Sequence, residues 1–262
     1  MSGFVLLDVS IKKIVLPSSH PFAGIAEKMN RAQENILNLQ AEIARFFEES
    51  EYPVLSHDNK KIIPEAVEYH SKLPIPLRFS VLSGEVVHHL RSCLDHIVWH
   101  FSDADYRRKH ITQIQFPILK ERPAPADMLA KYERKIKGIT DTRVLELIER
   151  VQPYNPSPGS LNSLLLPIHN LDIVDKHRTL VIVASTGAFV FPIGMMHRAM
   201  MDERDDSTVA ADFIEEFKRN GKLVPQVAFD DVGGGKQCPV VQSLGDMYNH
   251  VIQIIAAFDK LL

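Results

Sequence analysis

Four of the chain's 12 histidines, His88, His89, His96 and His100, fall within 13 residues, and Arg91 and Asp95 lie among them. Imidazoles titrate near neutral pH, so a cluster of them suits proton transfer or the ligation of a divalent transition metal. An arginine fork beside them suits a phosphoryl group. A second polar stretch, HNLDIVDKHRTL at residues 169–180, adds His169, Asn170, Asp172, Asp175, His177 and Arg178.

Two chemistries follow from these residue types. In acid–base catalysis, Arg91, Asp95, His96 and His177 are the candidate catalytic residues, with His88, His89, Asn170, Asp175 and Arg178 in support. In metal-assisted hydrolysis, His89, His96 and His100 share one helix edge at spacings of seven and four and are the candidate ligands. His169, Asp172 and His177 would then contribute from the second stretch. The short motif His-Glu-x-x-His is absent. Cys93 and Cys238 are too few for a disulfide framework, and Cys93 reads as a small buried thiol.

These groups need long helices to hold them. Phe22 to about Glu49 carries Ile25, Met29, Ala32, Ile36, Leu39, Ile43, Phe46 and Phe47 at spacings of three and four. A second helix is predicted from Pro76 to about Ser102. Its apolar face is Leu90, Leu94, Ile97, Val98 and Phe101, with His89, His96 and His100 along one edge and Arg91 on the other. Arg91 and His96 stand about 140° apart on an ideal helix, so only arginine's length lets both reach one phosphate. Shorter helices are predicted at 126–135 and 142–151, and a longer one at 161–184. In the last, Asn170 and His177 point between two apolar sectors and are expected to be buried, while His169, Asp172, Asp175 and Lys176 take the exposed side. A final helix spans about 239–262.

The remainder is shorter and more extended. Strands are expected at 4–16, at 113–119, at 188–193 and at 223–229. Prolines at 53, 64, 74 and 76 break the chain into a small hairpin near 50–72. The triplet Gly233–Gly235 reads as a turn. The fold class is therefore mainly α (α+β), a bundle of long helices with short inserted and appended β-strands. Its expected parts are an arm or strand at 1–21, a helical bundle at 22–185, and a small β region with a C-terminal helix at 186–262.

Composition bounds the function further. Hydrophobic residues make up 45% and charged residues 24%, with a formal net charge of −3. No global basic excess points to nucleic acid, so an RNA contact has to rest on a local patch. No apolar stretch reaches the roughly 20 residues that span a bilayer, and no secretory signal is read at the start, so a cytoplasmic protein without a membrane partner is expected.

HHLRSCLDH at 88–96 and DKHR at 175–178 resemble two motifs found together in uncharacterised bacterial helical proteins. Within the first, Arg91 and His96 also resemble the Arg-x4-6-His signature of the HEPN superfamily, helical bundles that often dimerise and often cleave RNA without a metal. The resemblance implies an endoribonuclease with RNA as partner, no cofactor, and a homodimer that completes the site. His96 would be the general acid or base and Arg91 would steady the phosphoryl charge. Two alternatives stand beside it. One is a non-catalytic helical binding domain in which the polar network only sets helix register. The other is the metal-dependent hydrolase.

Overall fold

The computed structural model describes residues 10–50, 74–123, 126–155, 164–190, 222–230 and 238–262. Among these the chain is mainly helical. In order come α1 (Ala23–Glu49), α2 (Leu77–Phe101), α3 (Ala104–Lys109), α4 (Ala126–Ile136), α5 (Thr142–Arg150) and α6 (Leu165–His177). The strands β1 (Ile182–Val190), β2 (Lys222–Phe229) and β3 (Cys238–Pro239) follow, and α7 (Val240–Asp259) ends the chain. The expected mainly α class, long helices with short strands, is what the fold shows. The expected hairpin near 50–72, residues 4–9 of the N-terminal strand and the glycine triplet lie outside the described residues.

The chain divides into two compact units. The larger comprises Val9–Leu39, Ser80–Leu180 and Val241–Leu262. Its core is built from three apolar stripes. Ile25, Met29, Ala32, Ile36 and Leu39 come from α1, with Phe22 just before it; Val86, Val87, Leu90, Leu94 and Ile97 from α2; Leu244, Met247, Val251, Ile254 and Phe258 from α7. All are buried, and each set repeats at the three- and four-residue spacing that keeps one helix face apolar. Phe258 joins the stripes, with ring centroids 6.1 Å from both Phe101 and Phe116.

Residues 10–16 are laid down without forming a strand. Asn30, only 4% exposed, accepts from the Ile14 amide (2.8 Å) and donates to the Ile14 carbonyl (2.9 Å), replacing a strand neighbour with one side-chain amide. Gln33 reaches the Ile11 carbonyl, and from α7 the Tyr248 hydroxyl donates to the Lys12 carbonyl at 2.7 Å. Backbone groups that a sheet would satisfy are thus satisfied by side chains of two helices.

The smaller unit draws its described residues from 40–79 and 181–240. It contains an antiparallel sheet ordered β1-β2-β3, with Ile182 opposite Phe229 and an irregular register between Ser185 and Ala188. Arg78 donates to both oxygens of Glu42 at 2.8 Å, and the Phe46 and Phe79 rings meet edge to face.

Two expectations need correction. The helix expected over 161–184 is α6, which ends at His177, with Arg178 extended at φ −159° and ψ 159°. The β-branched run Val181–Val183 pairs with β2 instead of continuing the helix, because cross-strand partners outweigh a weak helical preference. Residues 113–119 are not a strand. They are held from outside their own backbone, as the next subsection describes.

α7 generates a testable pH dependence. His250 is buried (6% exposed), and burial pushes its pKa down to about 4. The unfolded chain takes up this proton near pH 6.5 while the fold resists it to about pH 4. Stability is therefore highest above pH 6.5 and falls as pH drops through that window, by roughly 3 kcal/mol at most for this group. In denaturant titrations from pH 7 to pH 4.5 the wild-type midpoint should fall, and His250→Leu should flatten the fall.

Candidate functional site

The site begins with the approach of α6 to α2. α6 buries Leu165, Ile168, Leu171 and Asp172 on one face. α2 meets that face at Gly84, where an added Cβ would overlap the Asp175 carboxylate. The missing side chain is what leaves room for that carboxylate against α2. Asp172, 2% exposed, lies in this seam. A carboxylate so far from water needs partners, and it has two. His88 Nδ1 lies 3.2 Å from Oδ1, and Lys176 Nζ, one turn further along α6, lies 2.5 Å from Oδ2.

A carboxylate oxygen accepts, so His88 Nδ1 donates and Nε2 is left for other work. His88 is more than half exposed and lines a cleft of ≈ 490 Å³ together with Arg31, Glu85, His89, Asp175 and Thr179. His89 follows at a ring distance of 6.4 Å. Burial, then the Lys28 ammonium and His88, push its pKa down, which favours neutral imidazole at pH 7. Burial and the Asp172 carboxylate push Asp175 up, so it holds its proton more readily than a free aspartate. Glu85 accepts from Asn35 at 2.8 Å. The cleft therefore combines two imidazoles, one of them fixed by a buried carboxylate, with a guanidinium on the wall. That set can take a proton from one atom and return one to another.

Arg91 has a different task. It is 5% exposed, donates to Asp95 at 2.5 Å and donates to the Phe116 carbonyl at 2.9 Å. Asp95 in turn accepts from the Phe116 amide at 2.8 Å. The pair thus holds both backbone groups of Phe116 and fastens residues 113–119 to α2. Gln152, fully buried, donates to the Pro117 carbonyl and accepts from the Leu119 amide, fastening the far end. The Arg91–Asp95 ion pair is thus largely covered by the segment it holds.

The other predicted residues scatter. His96 is exposed, and after burial the strongest influence lowering its pKa is Lys28 of α1, whereas Arg91 faces Phe116. His100 packs edge to face on Phe22 at 5.5 Å. Among the described residues no three His, Cys, Asp or Glu side chains converge as metal ligands, so His89, His96 and His100 share an edge without forming a ligand set. Cys93 is buried, its thiol pushed up to about 12, as expected for an inert thiol.

The burial expected on α6 is reversed. Asn170, His177 and Arg178 are exposed, while Asp172 is buried and His169 is half-buried. The helix is shorter than expected and packs through 165, 168, 171 and 172, so the face between the two apolar sectors turns outward. Ile173 is correspondingly 42% exposed. Sequence reasoning placed Asp172 on the wrong side. The available signal was Lys176 four residues on, a spacing that pairs side chains along a helix. His169 carries a buried Nδ1 with no hydrogen-bond partner among the described residues. Burial, then Arg91 and Lys135, push its pKa down to about 4.

Arg91→Met keeps the stem but removes the fork. It should cost about 2–3 kcal/mol, because Asp95 and the Phe116 carbonyl lose a partner in a covered place. Arg91→Lys should recover only part of this, since one ammonium does not span both acceptors as the fork does. Urea midpoints of the three proteins measure it. No protein-family profile, no curated protein and no solved structure matches this chain.

Proposed function

We propose that the chain is a metal-independent acid–base catalyst that cleaves RNA, working through His88 and His89 rather than through Arg91 and His96. The observation that carries this reading is the buried Asp172 behind His88, which orients the ring and leaves Nε2 to the cleft that His89 also lines. RNA is the substrate class because its own 2′-hydroxyl is the nucleophile, so that cleavage needs only the base and the acid that this cleft offers.

In the proposed reaction His89, neutral at pH 7, accepts the proton of a ribose 2′-hydroxyl. The 2′ oxygen attacks phosphorus and the bond to the 5′ oxygen breaks. His88, with one ring proton held by Asp172, gives the other to the departing 5′ oxygen. The products are a 2′,3′-cyclic phosphate and a 5′-hydroxyl. Arg31 on the cleft wall offers positive charge to the phosphoryl oxygens.

A second reading, a non-catalytic helical binding domain, is favoured by the employment of Arg91. Its donors go to Asp95 and Phe116, as expected of a group that fixes structure.

Mixed RNA incubated with the protein in EDTA separates the readings. Cyclic phosphate ends are expected. Loss on the order of a hundredfold is expected in His88→Ala and His89→Ala, a smaller loss in Asp172→Asn, and near wild-type rates in His96→Ala. Loss in His96→Ala with full activity in His88→Ala would return the chemistry to the Arg91–His96 pair. Absence of cleavage by the wild type would leave the binding domain.

A further inference from the structure

Charge is distributed unevenly along this chain. Residues 107–137 hold nine Lys and Arg against three Asp and Glu, a net +6, so the rest of a chain at −3 carries −9. The fold brings the two ends of this segment together. The Tyr106 hydroxyl donates to the Arg134 carbonyl at 2.9 Å, and the Asp103 amide donates to the Gly138 carbonyl at 2.7 Å. Gly138 admits the Tyr106 ring so closely that a Cβ there would overlap it. The basic last turn of α3, Arg107–Lys109, therefore lies beside the basic last turn of α4, Arg134 and Lys135.

Between α4 and the held segment 113–119 runs a groove of ≈ 350 Å³, lined by Lys131, Arg134, Lys135, Tyr132, Gln113 and Gln115 among others. Lys131 and Arg134 are exposed. Burial pushes Lys135 down, and Arg91 beyond the groove wall adds to this. Tyr106 and His110 stack at 4.4 Å next to Arg107.

We infer that this groove binds single-stranded RNA, its cations on the phosphates, its glutamine amides on bases and sugars, and the Tyr132 ring on its wall for base stacking. Charge complementarity names the occupant. A concave strip that mixes lysine and arginine with neutral amides and a tyrosine, over a small apolar floor of Pro117, Leu119 and Met128, matches how single strands are held. A lipid surface calls for a continuous apolar face bordered by charge. The inference rests on RNA as substrate and supplies a surface outside the His88 cleft for the flanking nucleotides. Arg91 and Asp95, which fasten the 113–119 wall, make the groove's shape depend on α2.

The test uses a fluorescein-labelled oligodeoxythymidine of roughly a dozen nucleotides, which lacks the 2′-hydroxyl and reports binding without cleavage. Anisotropy is followed from about 50 to about 200 mM salt. Wild type should bind with an affinity that falls steeply with salt. Lys109→Gln/Lys131→Gln/Arg134→Gln, three exposed positions, should bind at least about tenfold more weakly. Its salt slope should be shallower by about 2, at roughly 0.7 per phosphate contact. Lys12→Gln/Lys13→Gln should match wild type. Equal affinity and slope in the triple variant would overturn the inference. So would a triple variant that loses binding only to phosphatidylserine vesicles while keeping the oligonucleotide. Binding lost in the triple variant without RNA cleavage by wild type would sustain the groove and refute catalysis; cleavage with unaltered oligonucleotide binding in the triple variant would do the reverse.

Discussion

A carboxylate buried to 2% exposure sits in the seam between α2 and α6 and depends on the partners around it. Asp172 without them would face the full cost of a charge removed from water. Lys176 and His88 together meet that need, one from its own helix and one from α2. Gly84 leaves room for the Asp175 carboxylate beside this seam, and the apolar face of α6 carries Asp172 inward. An imidazole recruited to satisfy a buried charge is also an imidazole with a fixed ring and one free nitrogen. The structural need and the proposed chemistry are met by the same contact.

Arg91 answers a similar need in a different way. The segment 113–119 lacks a strand partner among the described residues, so its backbone polar groups require side chains. Arg91, Asp95 and Gln152 provide them. The result is a segment held rigidly from both ends, and it becomes the wall of a basic groove. His169 is half-buried, and after burial Arg91 and Lys135 lower its pKa while Asp172 opposes them.

Much of this fold was legible in the residue pattern. The bounds of α1, α2, α4, α5 and α7 follow closely from apolar spacing, because a three- and four-residue repeat over ten or more residues has no other compact use. The short strand β2 was legible for a similar reason, being a run of β-branched and apolar residues between turn signals. Residues 188–190, the described part of the strand expected at 188–193, do belong to β1, but 182–187 were not legible, since Val and Ala there fit either period and only the pairing with β2 decides. The arm at 10–16 has a strand's composition, but amides on α1 and a hydroxyl on α7 took the place of a neighbouring strand.

Sequence alone determined that titratable groups are concentrated on α2 and on residues 169–180, and that long helices carry them. That much follows from counting residue types and from the helical period, both local properties. The tertiary structure decided which of these groups meet. It turned Asp172 in and Asn170 and His177 out, covered Arg91 with Phe116, and left His88 and His89 on a cleft. The physical reason is that burial depends on which face of a short helix finds a partner. α6 has apolar residues on two sectors, so its own sequence cannot choose between them, and the close approach at Gly84 does.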